Sequence, residues 1–151
     1  MSSLPTSLYF SNAAGLVQEC ADYVRLQYYP GPRRFDEFTA LLHHVTRALS
    51  RYRLGKLLLD QRQMTPYSPA EQVHLVQHWL PRTIVDGQYR YGAVVQAQDV
   101  FARLAMDTIR TQAQELPLTY RFFPDEAAAI SWLQAQQLPS PRSGAKAAGR
   151  V

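Results

Sequence analysis

Apolar residues along this chain change their spacing in a regular way. Near the N-terminus they come in short runs, Leu8-Tyr9-Phe10, Leu16 to Cys20 and Tyr23 to Tyr29. In the third run Val24, Leu26 and Tyr28 alternate with Tyr23, Arg25, Gln27 and Tyr29. That period of two places one face of a strand on a core. The three runs predict an antiparallel hairpin or meander, with Ala13-Ala14-Gly15 as a turn and Pro30-Gly31-Pro32 as the break that follows it.

From Phe35 to Tyr52 the spacing becomes three and four: Phe35, Phe38, Leu41, Leu42, Val45, Leu49 and Tyr52 fall on one helical face. Asp36 and Glu37 at its start and Arg47, Arg51 and Arg53 towards its end complement the helix dipole, and Gly55 supplies a stop. Lys56-Leu57-Leu58-Leu59-Asp60 is then a short apolar run ending on a carboxylate, the pattern of a buried strand. Ser68 is a good N-cap, Pro69 suits the first helical position and Glu71 completes a capping box. The helix so started is expected to bury Val73, Val76, Leu80 and Ile84, with Trp79 alongside, and to kink or end near Leu80 because Pro81 follows. After Asp86-Gly87, Tyr91–Val95 reads as a strand and Asp99 as the cap of a third helix, with Val100, Leu104, Ala105, Thr108 and Ile109 on its packed face. Leu118–Phe123 and Asp125–Leu133 close the series as strand and helix.

The order β-β-β-α-β-α-β-α-β-α predicts an α/β domain: a mixed sheet with an N-terminal antiparallel meander, parallel βα crossover units and four helices. A chain of 151 residues suits one such domain, over residues 8–133, with 134–151 expected to be a flexible tail poor in core-forming residues.

Composition narrows the classes of function. The formal charge is +4, yet Arg142, Lys146 and Arg150 lie in the tail; without them 13 basic residues face 12 acidic ones. That balance argues against a nucleic-acid partner, which calls for concentrated positive charge. No apolar stretch reaches the roughly 18–20 residues of a membrane helix, so no integral membrane association is expected, and the N-terminus lacks the pattern of a secretory leader, which leaves the cytoplasm as the default. Cys20 is the single cysteine, so neither an internal disulfide nor a cysteine metal cage can form.

Three pieces carry a family resemblance: Lys56-Leu57-Leu58-Leu59-Asp60-Gln61-Arg62, Ser68-Pro69-Ala70-Glu71, and Phe122-Phe123-Pro124-Asp125-Glu126 through Leu133. Together with the element order, which spans Leu8 to Leu133, they make the chain resemble the STAS-like superfamily, the fold of the sporulation anti-sigma-factor antagonists, in a bacterial branch. The resemblance implies a signalling or protein-interaction role. In signalling members the strand ending in Asp leads to an Asp-Ser-x-Gly-like turn whose serine is phosphorylated. Here Tyr67-Ser68-Pro69-Ala70 lacks both the preceding Asp and the following Gly. Ser68 is therefore a candidate for phosphorylation or for a helix cap, the cap being the simpler role. A related fold, the CRAL-TRIO type, carries apolar ligands.

Other candidates come from the residues themselves. Asp60 sits where a buried strand opens onto its loop, the ligand side of an α/β sheet, and with Arg62, Gln96, Gln98 and Asp99 could line a polar cleft. His74 and His78, four apart on one helix, are weak metal candidates: Leu75 after His74 breaks the zinc-protease pattern and no third ligand is assigned. No Gly-rich phosphate loop, nucleophile elbow or carboxylate pair is visible, so no cofactor is expected. The aromatic set Tyr9, Phe10, Tyr23, Tyr28 and Tyr29 fits a helix-covered sheet, a dimer patch or the wall of an apolar cavity. The expectation is a non-catalytic regulatory or interaction module whose partner is another protein or a second copy, with a carrier of a small apolar ligand as the alternative. A hydrolase or metal site around Asp60, His74 and His78 ranks third.

Overall fold

A computed structural model describes residues 6–137. Six strands form one sheet in strictly sequential order. β1 (Ser7–Asn12), β2 (Gly15–Glu19) and β3 (Val24–Tyr28) pair antiparallel; β3, β4 (Lys56–Asp60), β5 (Tyr91–Val95) and β6 (Thr119–Phe123) pair parallel. This is the mixed α/β sheet that the residue pattern predicts.

Each parallel step needs a crossover, and three helices supply them: α1 (Phe35–Tyr52), α2 (Pro69–His74, continued as Leu75–Trp79 and Leu80–Asp86) and α3 (Val100–Gln112). All three bury apolar side chains in one core with Val24, Leu26, Tyr28, Leu57, Leu59 and Val94 of the sheet. The fourth helix, α4 (Glu126–Ala135), packs on the opposite face, where Ala129 and Leu133 meet Tyr23, Leu58, Ala93 and Val95. That two-sided burial explains why β4 reads as an unbroken apolar run while β3 alternates. The expected tail begins beside the end of α4, and residues 138–151 lie outside those described.

Several local expectations are corrected. α1 ends at Arg53, which takes the left-handed conformation with φ 52°, and Gly55, φ 65°, comes after the stop rather than making it. Pro81 does not end α2. A π-helical turn over Leu75–Trp79, in which the Leu80 amide donates to the Leu75 carbonyl, precedes it and carries the helix on to Asp86. The wide turn accommodates a residue that lacks an amide and would otherwise press on the preceding turn. It also shifts the inward face: Leu75 and Trp79 are buried with Leu80 and Ile84, whereas Val73 is exposed. In α3 the buried residues are Ala102, Met106 and Ile109, while Val100, Leu104 and Thr108 face outward. Ala102, Met106 and Ile109 seat this helix on the core, so of the residues expected on its packed face Ile109 is buried, and the choice of Ala102 and Met106 over Val100 and Leu104 is not revealed by aliphatic spacing alone.

The N-terminal aromatics mostly fill contacts between elements. Tyr28 is fully buried against Phe38 and Tyr67; Phe10 stacks on His44 of α1 at 3.8 Å between ring centres; Tyr23 sits under α4.

Candidate functional site

Two charge clusters mark the carboxyl end of the parallel strands. The first is built on Asp60, the last residue of β4, 4% exposed. Strand alternation puts it on the α4 face together with Arg25 of β3, which lies beside Leu58 and reaches along the strand to Asp60. Arg25 Nη2 donates to Asp60 Oδ2 at 2.6 Å, and Arg62 donates to the same carboxylate through Nε at 2.9 Å and Nη2 at 2.8 Å. Glu126, the first residue of α4, completes the ring: it accepts from Arg25 Nε at 3.0 Å and from Arg62 Nη2 at 2.9 Å. The remaining Arg25 hydrogens go to Gln18 Oε1, Gln27 Oε1 and Glu126 Oε1. All five guanidinium hydrogens therefore have acceptors within the domain.

The electrostatics follow from this wiring. Burial, the largest influence on Asp60, pushes its pKa up, but the Arg62 side chain and amide, with the Arg25 charge, more than reverse it and hold it below the ordinary aspartate value. The hydrogen bond to Asp60 raises the pKa of Arg62. Two guanidinium groups and two carboxylates alternate, so the ring is neutral as a whole and charged at every corner. A polar hollow of about 300 Å³ opens beside it, lined by Arg25, Gln27, Tyr28, Asp60, Arg62, Gln63 and Gln98.

Of the five residues placed at this cleft from the sequence, Asp60, Arg62 and Gln98 line it together. Gln96 instead lines a second hollow, between α3 and β6, and the Asp99 carboxylate caps α3 by accepting from the Phe101 amide at 2.8 Å. Sequence reasoning missed Arg25 and Glu126, which lie 101 positions apart. The available signals were an arginine at an off-core position of β3 and a carboxylate at the start of the last helix.

The second cluster is centred on Ser68. Its Oγ accepts from the Glu71 amide at 3.1 Å and Glu71 Oε1 accepts from the Ser68 amide at 2.8 Å, a reciprocal capping box. The Glu71 carboxylate is buried and also takes a bidentate pair from Arg33, Nη2 at 2.7 Å and Nε at 3.0 Å. Arg33 donates further to the Thr65 and Pro66 carbonyls, and its guanidinium lies 5.4, 5.9 and 5.6 Å from the ring centres of Tyr28, Phe38 and Tyr67. Burial works to lower the Arg33 pKa, and the Glu71 carboxylate overcomes it, so the group is held firmly charged. Beneath the cage the Tyr67 hydroxyl donates to that of Tyr28 at 3.0 Å and accepts from Gln61 Nε2 at 3.1 Å.

His74 and His78 face each other on α2, ring centres 5.8 Å apart. Among the described residues no three His, Cys, Asp or Glu side chains come together as a metal site. The Cys20 thiol is half-buried, and burial raises its pKa. No helix among the described residues is long and apolar enough to cross a membrane.

The surface of α3 carries apolar side chains instead. Phe101 is 68% and Leu104 58% exposed, with Val100 beside them. Val100 and Leu104 border the hollow of about 560 Å³ that Tyr120 and Phe122 of β6, an edge strand among the described residues, also line; Phe101 lies outside it.

No protein-family model matches the chain, and comparison with curated proteins and with solved structures returned no match.

Proposed function

We propose that this chain is a non-catalytic STAS-like module that works by binding another protein. The observation that carries the reading is the exposed apolar surface of α3, Val100, Phe101 and Leu104, of which Val100 and Leu104 share a hollow with the edge strand β6. An edge strand offers backbone donors and acceptors, and an adjacent apolar helix face offers the area that a partner would remove from water. The two charge clusters support the same reading from the other side. Asp60 and Arg25 are committed to each other, to Arg62 and to Glu126, and Ser68 and Glu71 are committed to a helix start.

The test is a Phe101→Asp/Leu104→Asp variant. Both positions are exposed, so its melting temperature should stay close to the parent's. Sedimentation velocity over a concentration series and affinity capture from the source cell, followed by hydrogen exchange on the purified complex, read the interaction. The expected result is one partner, or self-association, that protects α3 and β6 in the parent and is lost in the variant. A parent that stays monomeric, with every captured protein retained equally by the variant, would sink the proposal.

A further inference from the structure

The outer faces of α1 and α2 border a groove of about 800 Å³. Its walls are two rows of side chains at a spacing of four. Thr39, His43, Arg47 and Arg51 come from α1; His74, His78, Arg82 and Asp86 come from α2. Residues four apart on a helix lie on one side of it. The π-helical turn Leu75–Trp79 bonds each amide five residues back, so residues four apart there fall closer to a single line. Thr46, Ser50, Trp79 and Tyr9 complete the lining. Floor and walls are tied together: Trp79 Nε1 donates to the Leu42 carbonyl at 2.9 Å, and the hydroxyls of Thr46 and Thr83 bond at 2.8 Å.

The groove collects basic groups of both kinds, guanidinium and imidazole. Arg25, Arg33, Arg34, Arg62 and Arg110 each hold a carboxylate. Arg47, Arg51 and Arg82 hold none among the described residues, as is also true of Arg53, Lys56, Arg90, Arg103 and Arg121, but only the first three share a cavity with histidines. Three arginines and three histidines thus converge on one groove against the single carboxylate of Asp86. On α1 the like charges of Arg47 and Arg51 repel at this spacing, and both share the groove with Arg82 of α2; a multivalent anion relieves both repulsions.

We propose that this groove binds a soluble small molecule bearing two or more phosphate groups. Arg47 and Arg82 supply the guanidinium forks that match phosphate oxygens, and His43, His74 and His78 offer further nitrogen donors. The volume suits a single small ligand. The near-balance of basic and acidic residues outside the tail disfavours a nucleic acid, which would need a basic track extending beyond the groove. In the free protein His74 is held below its ordinary pKa by burial, by His78 and by Arg82. An anion placed between the rows offsets these influences and raises the pKa of His74 on binding. The other groups facing His74 across and along the groove are His43, Arg47 and Arg51 of α1 and Asp86 of α2.

Inorganic tripolyphosphate is the probe, titrated into the full chain at low salt and followed by amide resonances and by melting temperature, with sulfate at equal ionic strength as control. The expected result is shifts confined to the two rows, and affinity that falls about tenfold or more with Arg47→Ala and again with Arg82→Ala. Without ligand, the double variant should melt no lower than the parent, because it loses repulsion. Phosphatidylcholine vesicles with and without phosphatidylserine test a membrane headgroup as the source of phosphate. Equal tripolyphosphate affinity in parent and double variant would overturn the proposal. So would binding to the phosphatidylserine vesicles alone, or a His74 pKa that tripolyphosphate leaves unmoved in an imidazole titration followed by resonance shifts.

Discussion

Glu71→Gln isolates the charge of one buried carboxylate. Glutamine keeps the outline of the side chain and an oxygen for the Ser68 amide, and removes the negative charge facing Arg33. The guanidinium remains buried, its side chain 3% exposed, against two carbonyls and three aromatic rings that were already present in the parent. Deleting one partner of a buried pair costs about 3–5 kcal/mol. A neutral hydrogen bond from Arg33 to the new amide oxygen returns about 1 kcal/mol. The expected net loss is about 3 kcal/mol, which for a domain of this size lowers the melting temperature by roughly 10 °C. Urea unfolding at neutral pH should show an earlier midpoint with an unchanged slope. Arg33→Met completes a double-mutant cycle. With both charges gone, the Arg33→Met/Glu71→Gln variant should be markedly more stable than the sum of the single losses predicts, since neither charge is orphaned. A loss below about 1 kcal/mol in Glu71→Gln, or strict additivity in the cycle, would refute the view that this pair organises the β4–α2 connection.

Three further outcomes follow from the same structure. Ser68→Ala should cost about 1 kcal/mol through loss of the cap, and a midpoint equal to the parent's would remove the cap's importance. Gly92→Ala would place a methyl carbon 2.4 Å from a ring carbon of Tyr120 and 2.5 Å from the Tyr89 hydroxyl oxygen; with Tyr89 fully buried the rings have little room, and a loss of about 1–3 kcal/mol in denaturant midpoint is expected, parent-like stability being the contrary result. Because the Asp60 pKa is lowered on folding, its ion pairs stabilise fully above the ordinary aspartate value of about 3.9, and that contribution fades as pH falls from there through the folded value. Asp60→Asn should therefore be less stable at neutral pH and show a shallower acid limb, a comparison made by melting temperature against pH.

Much of this fold is legible in the residues because its elements rest on short-range signals. Spacing marks α1, alternation marks β3, and Ser68-Pro69-Ala70-Glu71 announces a helix start that the structure shows atom for atom. What escapes is set by partners remote in sequence. Nothing near Arg25 points to Glu126, and nothing near Val100 says that Ala102 and Met106 take the inward side instead. The π turn is hidden for a similar reason: Pro81 signals a disturbance, but tertiary packing around Trp79 decides whether the helix stops or widens. The basic rows at a spacing of four can be read in the sequence, and only the packing of α1 beside α2 makes them face one groove.

The sequential strand order also bears on how the domain is made. Each strand lies beside the one synthesised before it, so during translation the sheet can grow from one edge to the other without waiting for a distant partner. α4 alone crosses to the opposite face, and it does so last. Until it docks, Leu58 and Val95 stay uncovered and Arg25 and Asp60 lack Glu126. The ring of charges at the strand ends thus closes only once α4 is in place, and a product truncated before Glu126 is left with an open apolar face and an incomplete ring.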